Sequence, residues 1–431
     1  MYMILKVAGL IFEQFGNLLS DEFFWIIVLI LIMLYRRNSE IEARMLGSSY
    51  PLFYKVSSSV LVGLAGGLLG SLFVILVGIG IADYTRPGGG SLTEVITYIW
   101  IVAVLLALIN PRYLCFSYAG GLMALMSLIF GFPKVDVPGL LALIGVLHLV
   151  ESFLIWLDGY TYSVPLFLKQ KDGRTVGGYV MNKIWPIPLV VFAVMFGGEE
   201  SRLSIAGMID MPSWWPFLKH SAAGGIRDLV YIPLVVPVVL GYGDIAITKM
   251  PDKKCRSSAL RLAVYSLVLI VLSVIASKLR IFAFAAAVFA PLAHEMLILY
   301  GAKEEEEGEP YFASKETGVK VLHVQKDSAA SSMKLEPGDT VLKINGMNLY
   351  SEKDLTELLN SCPTFIWLDI KKASGKVITA EHSDYRTGIG SLGALIVPNN
   401  AEFYYEISKG SSLIKRLVKR YKRKHNKGID I

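Results

Sequence analysis

The chain has 431 residues, a formal net charge of +6 and a hydrophobic fraction of 54%. A mean hydropathy of +0.52 excludes an ordinary soluble protein and indicates a membrane protein of roughly two or three domains. Its three cysteines, Cys115, Cys255 and Cys362, are scattered, so free thiols are expected rather than disulfides or a cysteine-based metal site. No cleavable signal peptide is expected, because the first residues contain Glu13 and Gln14 and no clear cleavage site.

Residues 1–301 predict a helical transmembrane bundle. Apolar stretches of membrane-spanning length alternate with turns and charged loops, which indicates about nine spans. The predicted spans are Phe23–Tyr35, Val56–Ala82, Leu92–Ile109, Tyr113–Phe130, Val137–Leu157, Ile184–Phe196, Leu229–Ile247, Ala259–Ala276 and Ile281–Tyr300. The segment Lys169–Lys183, which precedes the sixth span, is predicted to be a hydrophilic loop.

Small residues and prolines inside these spans favour close packing. Glycines on one face of the second span allow another helix to approach, and prolines in the sixth and seventh spans favour bent helices. The residues are Gly63, Gly66, Gly67 and Gly70, and Pro186, Pro188, Pro233 and Pro237. Broken helices also form transporter sites, but with no clear internal repeat we favour packing.

Basic residues predict the orientation, because short cytoplasmic loops are rich in Lys and Arg. Three loops on the same side of a nine-span bundle carry most of them, and the C-terminal region falls on that side too. The residues are Arg36, Arg37, Arg44 and Lys55; Lys169, Lys171, Arg174 and Lys183; and Lys249, Lys253, Lys254 and Arg256. The C-terminal region is therefore expected to be cytoplasmic.

The segment Thr317–His382 has the pattern of a soluble module. Gly318 opens an alternating strand, Asn345-Gly346 is typical of a tight turn, and Ser351–Asp354 favours a capped helix start. This order of elements, with the Leu335–Asp339 turn, resembles a bacterial PDZ domain. The resemblance implies an α+β domain at residues 317–383, after an acidic linker at 302–316 that contains Lys303–Glu307.

In PDZ domains a peptide adds as an extra strand between the first strand and the second helix. Carried onto this chain, the resemblance implies a groove lined by Gly318, Val319, Val321, Leu355 and Leu359. The alternative is that these aliphatic side chains fill a small core.

Ionisable groups within the spans are functional candidates, because their burial in lipid is costly. They are His148, Glu151, His294 and Glu295. With Leu157-Asp158-Gly159, the His-Glu pair invites comparison with intramembrane zinc proteases. That family needs a second His at the position of Ile298, and its Leu-Asp-Gly follows the His-Glu pair, whereas here it precedes. We therefore expect no enzyme, no metal and no cofactor, and expect these groups to pair with one another or with backbone carbonyls.

Residues 384–431 are predicted to contain a further strand at Leu392–Val397 and a basic amphipathic tail from Ser411 to Lys427. Apolar residues recur there at helical spacing among cations, which favours a helix on an anionic membrane surface over a solvated tail. The cations are Lys415, Arg416, Lys419, Arg420, Lys422 and Arg423. Binding of nucleic acid is not expected, because interleaved aromatic residues are missing.

The Gly177-Gly178-Tyr179 and Trp185–Pro188 runs, the upstream His148 and Glu151, and the C-terminal PDZ pattern together resemble MinJ-type division-site determinants of Gram-positive bacteria. The resemblance implies a non-enzymatic membrane adaptor at the septum or cell pole. Such an adaptor links a DivIVA-like polar scaffold to a MinD-like division inhibitor. The alternative is an intramembrane protease or transporter with a regulatory PDZ domain.

Overall fold

The structure is a computed structural model and describes residues 2–18, 22–82, 92–196, 218, 229–313, 317–401 and 404. Helices dominate residues up to 307, and strands dominate the region after them. The helices of the first region are α1 (Tyr2–Leu18), α2 (Glu22–Leu46), α3 (Leu52–Val77), α4 (Leu92–Ile109), α5 (Phe116–Phe130), α6 (Val137–Asp158), α7 (Pro251–Ala276) and α8 (Arg280–Glu307).

Among the described residues, four helices are long and apolar enough to cross a membrane, namely α3, α6, α7 and α8. The helices α4 (over Thr97–Ile109) and α5 are apolar but shorter. Large apolar side chains such as Leu260, Ile281 and Met296 are exposed on α7 and α8, as expected where helices face lipid. The chain is therefore a membrane protein, with fewer long apolar helices among the described residues than the predicted spans.

The sixth and seventh predicted spans are wrong as helices, because both stretches are β-strands. The strands of this region are β1 (Gly80–Ala82), β2 (Val164–Lys169), β3 (Thr175–Phe196) and β4 (Leu229–Ala246). Antiparallel pairing joins β3 to β4 from Tyr179↔Ala246 to Phe196↔Leu229. An uninterrupted apolar run rich in Val and Ile fits a buried strand as well as a helix, so hydropathy alone cannot distinguish them.

The predicted loop Lys169–Lys183 is also wrong. Most of it lies in β2 and β3, which pair antiparallel around a tight turn at 170–174. Gly173 adopts a φ of +88° in that turn, a conformation that favours glycine.

The glycine face of α3 packs against strand β3 and, at Gly66 and Gly70, also against helix α6. A Cβ added at Gly63 would lie 2.2 Å from the Pro186 carbonyl oxygen, and one at Gly67 would lie 2.5 Å from that of Pro188. Proline has no N–H to donate, but none is needed for pairing at these positions. Backbone N–H groups at these alternate residues of β3 point away from β4. Val190, at the next such position, donates its N–H to Ser71 Oγ at 2.8 Å.

Three lysines that the sequence places in charged loops are buried beside carboxylates. Lys55 pairs with Glu42, Lys183 with Asp158 at 3.1 Å, and Lys254 with Glu305 at 3.1 Å. Each pair ties neighbouring elements together, and removal of one partner would leave an uncompensated buried charge.

The predicted acidic linker is partly helical, because α8 continues through Glu307. Glu305 Oε2 accepts the backbone N–H groups of Ile247 at 2.7 Å and Thr248 at 2.8 Å. The carboxylate therefore fixes the end of α8 against the chain that follows β4, which a solvated linker could not do.

Strand β5 (Phe312–Ala313) pairs with β3 in the sheet of the first region. The C-terminal unit contains β6 (Val319–Val324), α9 (Ala329–Ser332), β7 (Thr340–Ile344), β8 (Met347–Asn348), α10 (Glu352–Asn360), β9 (Phe365–Lys371), β10 (Val377–Ser383) and β11 (Ala394–Ile396). The sheet order is β10-β9-β7-β6-β11, with β8 paired to β7. Its core includes Ile389, Leu392 and Ile396. The PDZ-like unit therefore extends beyond the predicted boundary at residue 383, and the predicted strand near 392–397 is present as β11.

Candidate functional site

A cluster of polar side chains lies where α5, α6, α7 and α8 meet. His148 Nε2 lies 3.1 Å from Cys115 Sγ and 3.2 Å from Ser117 Oγ. His294 Nε2 lies 3.7 Å from the same sulfur. Ser117 Oγ is 2.7 Å from the Tyr265 hydroxyl, which donates to the Ala290 carbonyl at 2.9 Å. Four helices thus supply one connected network, in which the two imidazole rings are 5.1 Å apart between centroids.

Hydrogen bonding fixes which nitrogen of His148 carries the proton in the neutral ring. His148 Nδ1 lies 2.8 Å from the Ile144 carbonyl oxygen, which can only accept. The proton therefore resides on Nδ1, and the Nε2 lone pair faces Cys115 and Ser117. His148 is 2% exposed, so this lone pair is a buried acceptor presented to the thiol.

The structure brings three of the four predicted intramembrane candidates together. Glu151 Oε2 lies 3.8 Å from His148 Nε2, one turn along the same helix, and His294 approaches from α8. Glu295 instead forms an ion pair with Arg112 at 2.6 Å and accepts the Tyr118 hydroxyl at 2.6 Å. The fourth candidate therefore serves a separate contact between α8 and the start of α5.

Cys115, Ser117 and Tyr265 are the cluster members that sequence reasoning missed. Cys115 precedes α5 and, in sequence, is far from both histidines, so no spacing pattern connects the three residues. Only the packing of α5 against α6 and α8 places the thiol between the rings.

The aspartate of the Leu-Asp-Gly run contacts strand β3. Asp158 accepts from Lys183 at 3.1 Å and from the Trp185 indole at 2.8 Å. This aspartate therefore anchors strand β3. Ile298 stands where the second histidine of an intramembrane zinc protease would be.

The predicted groove residues lie in the core of the PDZ-like unit. Val319, Val321, Leu355 and Leu359 are all buried there with the inward residues of β7 and β9. Gly318 has a φ of +87°, and a Cβ at this position would meet Thr340. In the structure, these aliphatic side chains therefore fill the core of the PDZ-like unit.

Among the described residues, strand β6 lies between β7 and β11 in the sheet. Val319 and Lys320 pair with β7, and Val321–Val324 pair antiparallel with β11. In the described part of the chain, β10 and β11 are the two terminal strands of the sheet, and β11 is the one beside β6. The terminal edge nearest the predicted position is therefore that of β11, one strand beyond β6.

An open polar cavity of about 570 Å³ adjoins the start of β11. The 388–391 loop forms one wall, and Ser328 and the end of β10 form the other. The Ile389 N–H donates to the Pro363 carbonyl at 2.8 Å, which fixes this loop to the end of α10. The PDZ-like unit thus presents the edge of strand β11, helix α10 and the polar cavity beside them.

Charges around this unit are held by local hydrogen bonds. Backbone N–H donation from Tyr350, with further donation from the Ser351 hydroxyl and N–H, lowers the pKa of Asp354 and caps α10. Burial lowers the pKa of His323, which is paired with Leu395 across β6 and β11.

The predicted membrane-surface cations Lys415–Arg423 lie outside the described residues.

No protein-family model matches the chain. Crystal structures of PDZ domains from SdrC-like proteins of Listeria innocua and Listeria monocytogenes are each 22% identical to it, with a TM-score of 0.17. Each covers 20% of this chain, and the matches span 99% and 92% of those domains.

The chain is 24% identical over 266 residues to the cell division topological determinant MinJ of Bacillus subtilis (strain 168). The match covers 62% of this chain and 63% of MinJ, so less than two thirds of that relative is spanned. With apolar helices followed by a PDZ-like unit, the chain is similar to MinJ-type PDZ-containing proteins, as the sequence predicts.

Proposed function

We propose that the chain is a non-enzymatic membrane adaptor that helps to determine where a cell divides. The similarity to a cell division topological determinant supports the process, and the helices support the membrane location. The observation that carries the adaptor role is the terminal position of β11 in the sheet of the PDZ-like unit. An edge strand provides unpaired backbone groups that a partner segment can extend.

The recognition surface in this proposal lies between β11 and the start of α10, with the polar cavity at its end. The Val397 N–H donates to the Lys320 carbonyl at 2.9 Å, and Leu395 faces His323. Because N–H directions alternate along a strand, those of Ala394 and Ile396 point to the open edge. Partner backbone would pair there, and the neighbouring cavity would receive a polar side chain or a terminal carboxylate.

The proposed topology places this unit in the cytoplasm. Strands β3 and β4 run in opposite directions, so they return the chain to its starting side as two spans would. The replacement of two helices by this pair therefore leaves the expected orientation unchanged. The exposed basic residues of the predicted loops, such as Arg36, Lys171 and Lys253, remain its basis.

The proposed partners are cytoplasmic division proteins, with a DivIVA-like scaffold at the pole and a MinD-like inhibitor as its cargo. Membrane lipid is the proposed partner of the basic tail, because cationic amphipathic segments bind anionic leaflets.

A fluorescent fusion of the full chain in a rod-shaped Gram-positive bacterium tests the proposal. We expect fluorescence at septa and poles, and a truncation after residue 308 should remain in the membrane but lose this enrichment. Uniform fluorescence around the cell from the intact fusion, at normal abundance, would contradict the proposed role.

A further inference from the structure

We propose that Cys115, His148 and His294 bind one divalent transition-metal ion of the zinc type, with the Glu151 carboxylate close to His148. The first three residues each present one ligand atom, and these atoms lie within 4.8 Å of one another. Glu151 adds a carboxylate 3.8 Å from His148 Nε2. This site is independent of the division role and lies outside the PDZ-like unit.

The spacing of the donors fits tetrahedral coordination. Zn–S bonds of about 2.3 Å and Zn–N or Zn–O bonds of about 2.0–2.2 Å place neighbouring ligand atoms roughly 3.3–3.6 Å apart. The observed separations from Cys115 Sγ are 3.1 Å to His148 Nε2 and 3.7 Å to His294 Nε2. These two separations lie within a few tenths of an ångström of the tetrahedral values, and all three ligand atoms lie within 4.8 Å of one another.

The hydrogen-bond pattern prepares His148 to act as a ligand. Its Nδ1–H donates to the Ile144 carbonyl, which leaves the Nε2 lone pair directed at the sulfur. Metal-bound histidines are commonly held by such a bond from the other ring nitrogen. Ser117 and Tyr265 extend the same network around the site.

The His294 side chain can turn to complete the coordination of the metal. Its Nδ1 is a buried atom with no hydrogen-bond partner among the described residues. Because nothing fixes that nitrogen, the ring can turn about its side-chain bonds toward the metal position. Its ring contacts with Tyr118, His148 and Tyr265 keep it in this region, and its Nε2 already faces Cys115 Sγ.

Charge balance also favours a divalent cation. Metal binding requires the thiolate form of Cys115, so the thiol proton leaves as the metal enters. One thiolate and the Glu151 carboxylate together neutralise the two positive charges, and the neutral imidazoles add none. The ion would join α5, α6 and α8, whose polar side chains otherwise meet only through hydrogen bonds.

The competing description is a metal-free network in which the Cys115 thiol donates to His148 Nε2. The test is metal binding by the full-length protein purified in detergent, first stripped with chelator and then titrated with Co²⁺ or Zn²⁺. We expect one equivalent per chain, with a thiolate-to-cobalt charge-transfer band that Zn²⁺ abolishes.

The chain provides matched controls for this experiment. Cys255 is buried beside Met181, and Cys362 is exposed, so Cys255→Ser and Cys362→Ser should keep the charge-transfer band. Cys115→Ser should remove the band, and His294→Asn should weaken Co²⁺ binding by at least about 100-fold. Wild-type protein that binds no stoichiometric Co²⁺ or Zn²⁺ would overturn the proposal, as would a Cys115→Ser protein that keeps the band.

Discussion

Tyr179 of β3 donates its hydroxyl hydrogen bond to the backbone carbonyl of Leu322 in β6, which joins the membrane region to the PDZ-like unit. Gly177 and Phe312 lie beside the same contact, and β5 pairs with β3 there. Leu322 is bypassed in the pairing of β6 with β11, because Leu395 pairs with His323 and Ile396 with Val321. Its carbonyl is thus available to the tyrosine.

We predict that Gly177→Val separates these two regions. A Cβ at Gly177 would lie 2.8 Å from Leu322 Cδ1 and 3.0 Å from Val397 Cγ2, so a branched side chain must displace β6 and β11. Overpacking of this kind costs about 1–3 kcal/mol. Hydrogen exchange should increase at Phe312–Ala313 and in β11. Gly243→Val is the control, because its Cβ would meet only Asn182 Oδ1 at 3.6 Å, and equal exchange in both variants would refute this interface.

The position of Leu355 changes what a substitution there should do. The resemblance to PDZ domains implies that Leu355 lines the groove, but the residue is 4% exposed within the core. Leu355→Lys should therefore unfold the PDZ-like unit, because it buries an unpaired ammonium and removes apolar contacts worth about 2–5 kcal/mol.

Hydrogen exchange over β6, β7 and β9 measures this effect, with Glu357→Lys on the exposed face of α10 as the control. Native protection of the three strands in Leu355→Lys would show that its side chain is not part of the core.

Acidification should weaken the pairing of β6 with β11 through His323. Burial lowers the pKa of His323 from its ordinary value of 6.5, so the folded unit binds fewer protons than the unfolded chain. The resulting stability is complete above pH 6.5 and is lost as the pH falls through the lowered pKa. Amide exchange of β11, corrected for its intrinsic pH dependence, should rise below about pH 6.5 in the native chain but less in His323→Gln. An identical response in both proteins would exclude His323 as the cause.

The open edge of β11 makes a specific prediction about partner capture. Ala394→Pro removes an outward N–H while the inward hydrogen bonds of Leu395 and Val397 to β6 remain possible. We expect loss of crosslinking to cytoplasmic partners with preserved β6–β11 protection. Lys343→Ala, in the central strand β7, is the control, and full partner capture by Ala394→Pro would place recognition elsewhere.

The sequence predicts that the chain has a membrane region followed by a PDZ-like unit. It does not predict whether a buried apolar stretch is a helix or a strand. The helix starting at Glu352 is predictable because Ser351 and Asp354 form a capping box, and Asn345-Gly346 marks the turn before β8. By contrast, Ile184–Phe196 is apolar throughout, and no periodicity shows that its partner is another strand. The contact of β3 with Gly63 and Gly67 exists only in three dimensions.

The polar cluster shows the same limit. His148 and Glu151 lie on one helix face at a spacing that sequence reveals. Cys115 and His294 reach them only because α5 and α8 pack beside α6, so sequence analysis identified the histidines and passed over the thiol. The sequence likewise does not predict the place of β11 in the sheet. This strand pairs with β6 although many residues separate them in the chain.

The position of the division septum tests the central claim most directly. The full chain would replace MinJ in Bacillus subtilis, and septum position along the cell would be measured in living cells at matched protein abundance. We predict that the native chain restores placement near mid-cell, whereas Ala394→Pro does not. Septa that remain misplaced with a native chain that is abundant and inserted in the membrane would contradict the proposed role in division-site placement.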